Sequence, residues 1–136
     1  MKIRKATLKD LDECVNVCKT PELRLGTGRY PDKKYLKEFL GSFFLVAEEN
    51  NKIVGLLVGE KSKGKWVALN ILGISKRHRG KGVGKLLINE FKKISKRLGF
   101  KYIYLIAPKW NKNTIKFYEK DGFIRRDDYI YFYKWI

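Results

Sequence analysis

The chain is predicted to adopt a mixed α/β (α+β) fold: one largely antiparallel sheet of about seven strands with helices on both faces. Three observations predict it. Hydrophobic periodicity orders the elements as strand, two helices, three strands, helix, strand, helix and two strands, and such an order mixes antiparallel hairpins with a parallel crossover in one sheet. The run Trp66 to Ile74 has no clean polar face, which marks a central strand covered on both sides. A length of 136 residues with 44% hydrophobic content suffices for one core and places residues 1–136 in a single domain.

In chain order, Ile3 to Thr7 reads as a short strand, and Thr7-Leu8-Lys9-Asp10 resembles a capping box opening a helix to about Lys19, with Leu11, Cys14, Val15 and Cys18 on one face. Thr20 to Tyr30 is the least regular stretch, and a loop of that length in a small domain often serves as a binding lid. Pro31 is suited to start a second helix bearing Tyr35, Leu36, Phe39 and Leu40. Phe43 to Glu48 and Ile53 to Glu60 form a hairpin about Glu49-Asn50-Asn51-Lys52, and Ser62-Lys63-Gly64-Lys65 turns the chain into the central strand. Val83, Leu86, Leu87, Phe91, Ile94 and Leu98 recur at helical spacing up to a Gly99 cap. Lys101 to Ala107 follows as a strand and Asn111 to Asp121 as a helix stopped by Gly122. Phe123 to Arg126 and Tyr129 to Trp135 read as a final hairpin about Asp127-Asp128.

Composition narrows the class. No apolar stretch approaches the roughly 20 residues that span a bilayer, and Met1-Lys2-Ile3-Arg4-Lys5 opens no apolar signal region, so a soluble, cytoplasmic protein without a membrane partner is expected. Cys14 and Cys18, four apart on one helix, suit a buried apolar role better than a bridge. The net charge of +17 fits either an enzyme that handles anions or a nucleic-acid or ribosome partner. The basic residues run from Lys2 to Lys134 without forming a block, and no RRM or zinc-finger signature accompanies them.

The segment His78-Arg79-Gly80-Lys81-Gly82-Val83-Gly84-Lys85 joins the central strand to an amphipathic helix. Alternating glycines let the backbone curl with its N–H groups facing one point, and the helix dipole with Arg79, Lys81 and Lys85 adds positive charge, so the loop suits a pyrophosphate without a metal. A Walker A loop requires a glycine where Arg79 stands and a Ser or Thr where Leu86 stands, and a dinucleotide fingerprint requires a third glycine at Leu87. Nucleotide hydrolysis and hydride transfer are thereby disfavoured.

What remains, Arg-x-x-Gly-x-Gly at Arg79, Gly82 and Gly84, resembles the pattern by which the GCN5-related N-acetyltransferase (GNAT) family binds the pyrophosphate of acetyl-coenzyme A. Asn111 through Phe117-Tyr118 to Gly122-Phe123 is similar to a second signature of that family. The resemblance spans essentially the whole chain. It implies a splay between the fourth and fifth strands where pantetheine pairs with Leu72, Gly73 and Ile74, and a pyrophosphate held by Arg79, Gly80, Lys81, Gly82, Val83, Gly84 and Lys85. It also implies a coenzyme contact at Asn111 and protonation of the leaving thiolate by Tyr118. The implied activity is transfer of an acetyl group from acetyl-coenzyme A to a primary amine of a protein N-terminus, a lysine or a small molecule, by direct attack and without metal. Several relatives carry a glutamate five residues before the Asn111 position, where this chain has Ile106; Glu48, Glu49, Glu60 or water stand as alternatives for the base, and His78 is placed too near the phosphate loop. The acceptor is expected between the Pro21 to Tyr30 loop and the final hairpin near Asp127 and Asp128. A second reading, a basic nucleic-acid- or ribosome-binding module on an acetyltransferase scaffold, rests on the charge and on the run Tyr129-Ile130-Tyr131-Phe132-Tyr133.

Overall fold

A computed structural model describes residues 1–24 and 28–136, so the expected lid falls partly outside the described residues, at 25–27. The chain forms two compact units, Met1–Ile106 and Ala107–Ile136. The first contains strands β1 (Lys2–Lys5), β2 (Phe44–Glu49), β3 (Lys52–Lys61), β4 (Trp66–Ile74) and β5 (Tyr102–Tyr104). Its helices are α1 (Leu11–Val17), α2 (Lys33–Lys37) and α3 (Val83–Arg97). The second contains α4 (Lys112–Lys120).

The five strands lie in the order β1-β2-β3-β4-β5, every neighbouring pair antiparallel except β4 and β5. The β2–β3 turn closes through Asn50 and Asn51 at φ 51° and 60°, the left-handed pair that a tight hairpin demands and that asparagine tolerates. Thr7 opens the helical segment as expected: its N–H and hydroxyl both reach Asp10 Oδ2, at 2.7 and 3.1 Å. A 3-10 turn over Leu8–Asp10 precedes α1, and Arg4 clamps Asp10 through two 2.8 Å contacts and Glu48 through a third. The second helix is shorter than expected and is capped by Asp32, whose Oδ1 accepts the Tyr35 N–H at 2.7 Å; Pro31 stands outside it.

Register assigns the two faces. Leu56, Val58 and Ile71 pack with Leu11, Cys14, Cys18 and Leu36 under α1 and α2. Gly59 lies against the Phe91 ring of α3, where an added Cβ would come within 2.6 Å of it, so only glycine lets that helix approach. Phe91 and Leu87 are fully buried there, each burial contributing roughly 1.5–3 kcal/mol. In β4 the pairing shifts from Gly59↔Leu69 to Val58↔Ile71, which leaves Asn70 as an extra residue. This bulge turns Val67 and Leu69 towards α3 but Ile71 and Gly73 towards α1. Burial holds the Cys14 and Cys18 thiols up at about 12, the inert apolar role expected of them.

One expectation is corrected. Residues 123–136 contain no strand among the described residues, so the sheet has five strands where about seven were expected. The proposed turn explains the difference: Asp127 and Asp128 are drawn back by Arg125 and Arg126 at 2.9 and 2.6 Å, and no glycine or asparagine is present to close a two-residue turn. Tyr129 to Tyr133 is correspondingly exposed.

Candidate functional site

β5 pairs only with Trp66, Val67 and Ala68, while β4 continues to Ile74 with no partner strand on that edge among the described residues. Backbone of Leu72, Gly73 and Ile74 is therefore held by β3 on one side and faces no strand on the other among the described residues, where Ile74 O accepts from the Arg79 side chain. Leu23, in a 3-10 turn over Pro21–Leu23, lies directly above Gly73; an added Cβ would come within 2.9 Å of Leu23 Cδ1.

Where β4 ends, the Ser75 N–H donates to Val54 O at 2.9 Å and a 3-10 turn over Lys76–His78 bends the chain into the glycine loop. Gly80 and Gly82 stand at φ +71° and +84°, conformations that side chains strain to adopt, and an added Cβ on either would meet nothing within 4 Å. Both the backbone geometry and the open space favour close approach of a ligand. Gly82 is the N-cap of α3, so that helix has no side-chain cap, and the first-turn N–H groups of Val83, Gly84 and Lys85 have no partner inside the helix. Fifteen residues of aligned peptide dipoles stand behind them. Lys81 and Lys85 are exposed beside the turn. Arg79 points elsewhere: its Nε donates to Ile74 O at 3.0 Å and its Nη1 lies 3.9 Å from Glu22, bracing the corner between strand and loop.

His78 belongs to a chain of three side chains. Its Nδ1 lies 2.6 Å from Ser75 Oγ and its Nε2 lies 3.1 Å from Glu49 Oε2 at the end of β2, beside the β2–β3 turn. A carboxylate only accepts, so Nε2 carries the proton, and in the neutral ring the Ser75 hydroxyl donates to Nδ1. The loop is thus tied to a neighbouring turn of the sheet. Of the other carboxylates considered as a base, Glu48 is held by Arg4 and Glu60 accepts from Asn70 Nδ2 at 3.0 Å. Ile106 lies past the end of β5 and is exposed.

A cavity of about 660 Å³ adjoins this corner, lined by Glu13, Asn16, Thr20, Glu22, Ser75 and Arg79 among others. Glu22 is the residue that sequence reasoning missed. Hydrogen bonds from its own backbone amide and from Thr20, with Arg79 and Lys76 nearby, hold its carboxyl below the ordinary range. Its only sequence signal is an acid beside Pro21 in an irregular stretch.

In the second unit, Asn111 is the N-cap of α4, its Oδ1 accepting the Thr114 N–H at 3.2 Å. Tyr118 follows two turns later, about 10 Å along the axis. Tyr118 is 8% exposed, edge-on to Phe117 and Phe123, and burial pushes its phenol well above the usual value, so it stays protonated. Among the described residues no group of three or more His, Cys, Asp or Glu side chains is placed to hold a metal, and no helix is long and apolar enough to cross a membrane.

A mixed sheet with a half-open central strand running into an uncapped, glycine-lined helix N-terminus defines a class of α/β domains that cradle an anionic group at the end of a strand. The model of the acetyltransferase (GNAT) family matches residues 9–123, and the chain belongs to that family. Several solved structures share the fold. Ard1 from Thermoplasma volcanium superposes with a TM-score of 0.80 at 22% identity, covering 90% of this chain and 82% of that one. The PaiA N-acetyltransferase from Thermoplasma acidophilum, in complex with coenzyme A, gives 0.78 at 24%, covering 93% and 91%. An aminoglycoside acetyltransferase from an uncultured soil metagenomic sample, in complex with sisomicin, gives 0.76 at 22%, covering 99% and 95%.

Proposed function

We propose that this chain transfers an acetyl group from acetyl-coenzyme A to a primary amine of a protein N-terminus, a lysine or a small molecule, by direct attack. The observation that carries the reading is the open glycine turn: Gly80 and Gly82 at positive φ, unobstructed, at an uncapped helix N-terminus that continues the half-open β4. These residues fit a pyrophosphate, with N–H groups of residues 80–85 as donors and Lys81 and Lys85 as counter-charges. The open edge at Leu72 to Ile74 fits the amides of a pantetheine arm and offers a backbone N–H to polarise a carbonyl. When bound, the coenzyme supplies an activated thioester. Asn111 spends its Oδ1 on the cap it makes, and its amide NH2 serves as a coenzyme contact. Tyr118, a phenol kept neutral by burial, donates the proton that the departing thiolate takes up.

Calorimetry tests the reading. Acetyl-coenzyme A should bind with one site per chain, and Tyr118→Phe should lower turnover far more than affinity. Absence of binding by both acetyl-coenzyme A and a desulfo analogue refutes it.

A further inference from the structure

We propose that the exposed face of β4 and β5 around Trp66, Tyr102 and Tyr104 binds single-stranded nucleic acid. Parallel register sets Trp66 beside Tyr102 and Ala68 beside Tyr104, so all four share one face. The opposite face carries Val67, which is fully buried. The three aromatic side chains face out instead: Trp66 is 37% exposed, Tyr102 56% and Tyr104 44%, over a buried Ala68 floor. Three large rings left open beside β2 and β3, which are buried along most of their length, call for a partner.

The geometry of the rings selects that partner. Trp66 and Tyr102 are stacked with centroids 5.9 Å apart and planes inclined by 21°, and the indole lies over Gly64, where an added Cβ would overlap it. Trp66 therefore backs Tyr102, and Tyr104 stands two residues further along the same face of β5. Side chains two residues apart on a strand are about 6.6 Å apart, close to twice the ~3.4 Å stacking distance of nucleic-acid bases, which is room for one base plane. Bases present their faces only when unpaired, so the platform suits a single strand and excludes a duplex.

Charge around the platform complements a phosphate backbone. Lys61 at the end of β3, Lys63 and Lys65 on the β3–β4 turn and Lys101 just before β5 are all exposed, and among the described residues none is paired with a carboxylate. Lys65 and Lys101 are joined by a backbone hydrogen bond of 2.5 Å, which sets these two residues side by side, immediately before Trp66 and Tyr102 in the chain. Glu60, opposite Ala68, has its carboxylate engaged by Asn70. This site uses no residue assigned to acetyl transfer and stands or falls apart from that activity.

The test is fluorescence anisotropy of the full chain with a labelled oligouridylate of about 12 nucleotides, a length near the upper range of one such platform. Binding should be seen at about 50 mM salt and weaken linearly in log–log form with added salt. Tyr104→Ala and Tyr102→Ala should each weaken it about tenfold, whereas Tyr104→Phe, which keeps the stacking ring, should bind as the parent does. Lys63→Gln with Lys65→Gln should flatten the salt slope by about 1.4, that is, by ~0.7 for each charge removed. Retained acetyl-coenzyme A affinity shows that these exposed variants are folded. The proposal is overturned if the oligonucleotide fails to bind at low salt, if both alanine variants bind like the parent, or if a duplex binds as tightly. It also falls if light scattering shows a dimer that Tyr104→Ala dissociates, since the face would then belong to a second copy of the chain.

Discussion

Replacing Gly82 by alanine separates the glycine loop's role as a turn from its role as an anion cradle. At φ +84° an L-residue costs about 1–2 kcal/mol, and because a Cβ there meets nothing within 4 Å, no packing loss is added. The folded state should lose about that much, lowering the melting temperature by roughly 4 °C per kcal/mol for a chain of this size. Ligand affinity should suffer separately, because relief of the strain rotates an N–H away from its neighbours, and one charge-assisted hydrogen bond is worth about 1.5–3 kcal/mol. Coenzyme A should therefore bind at least tenfold more weakly. Gly99, at the other end of α3, supplies the control: its φ is +87° and its surroundings are equally open. Gly99→Ala should cost the same stability and leave coenzyme affinity unchanged. Thermal unfolding and calorimetry on both variants decide the matter. Equal affinities for Gly82→Ala and the parent, or equal losses for the two variants, would refute the reasoning.

Other perturbations have defined outcomes. His78→Gln keeps a donor for Glu49 and loses Ser75, while His78→Asn does the reverse; if the three-residue chain positions the loop, each should raise KM for the coenzyme several-fold with kcat nearly unchanged, and an altered kcat at constant KM contradicts that role. Tyr118→Phe should reduce kcat by about 10²-fold, the scale of one general acid, with the fold intact by circular dichroism. Arg4 and Thr7 hold the Asp10 carboxyl down at about 2, below its ordinary 3.8, so its contribution to stability of about 2 kcal/mol is complete above about pH 4 and disappears as pH falls towards 2. Urea unfolding at pH 7, pH 3 and pH 2 should show Asp10→Asn less stable than the parent at pH 7, with about half of that difference left at pH 3 and the two nearly equal at pH 2. Phe91→Ala should cost about 3–5 kcal/mol by urea unfolding, because its ring fills the space that Gly59 leaves under α3.

Local chemistry made most of the fold legible, and the exceptions have physical causes. The bounds of β4 follow from its apolar run, and Asn50-Asn51 closes the β2–β3 hairpin because asparagine accepts positive φ. Asp127-Asp128 was read by the same turn logic yet lacks that tolerance, and the arginines two residues earlier capture both carboxylates. The Asn70 bulge is invisible to periodicity, since one polar residue in an apolar strand looks like a surface position until pairing shows two residues opposing one. The glycine loop was readable because Gly82 and Gly84 sit where a strand passes into a helix. The contact of Arg79 with Ile74 O was not legible, because only the fold reveals that a residue expected to lend charge to the loop also turns back on the end of β4. The link from His78 to Glu49 was equally hidden: nearly thirty residues separate them, and they meet because β3 and β4 return the chain to the same end of the sheet.

The central claim is that backbone N–H groups of the strand-to-helix loop hold the coenzyme's pyrophosphate. Two-dimensional 1H–15N NMR of the labelled chain, titrated with coenzyme A, tests it most directly. The account predicts that the largest amide shifts fall on Gly80, Gly82, Gly84 and their neighbours to Lys85, saturating together. Shifts that leave these glycines unmoved while other amides respond would contradict it.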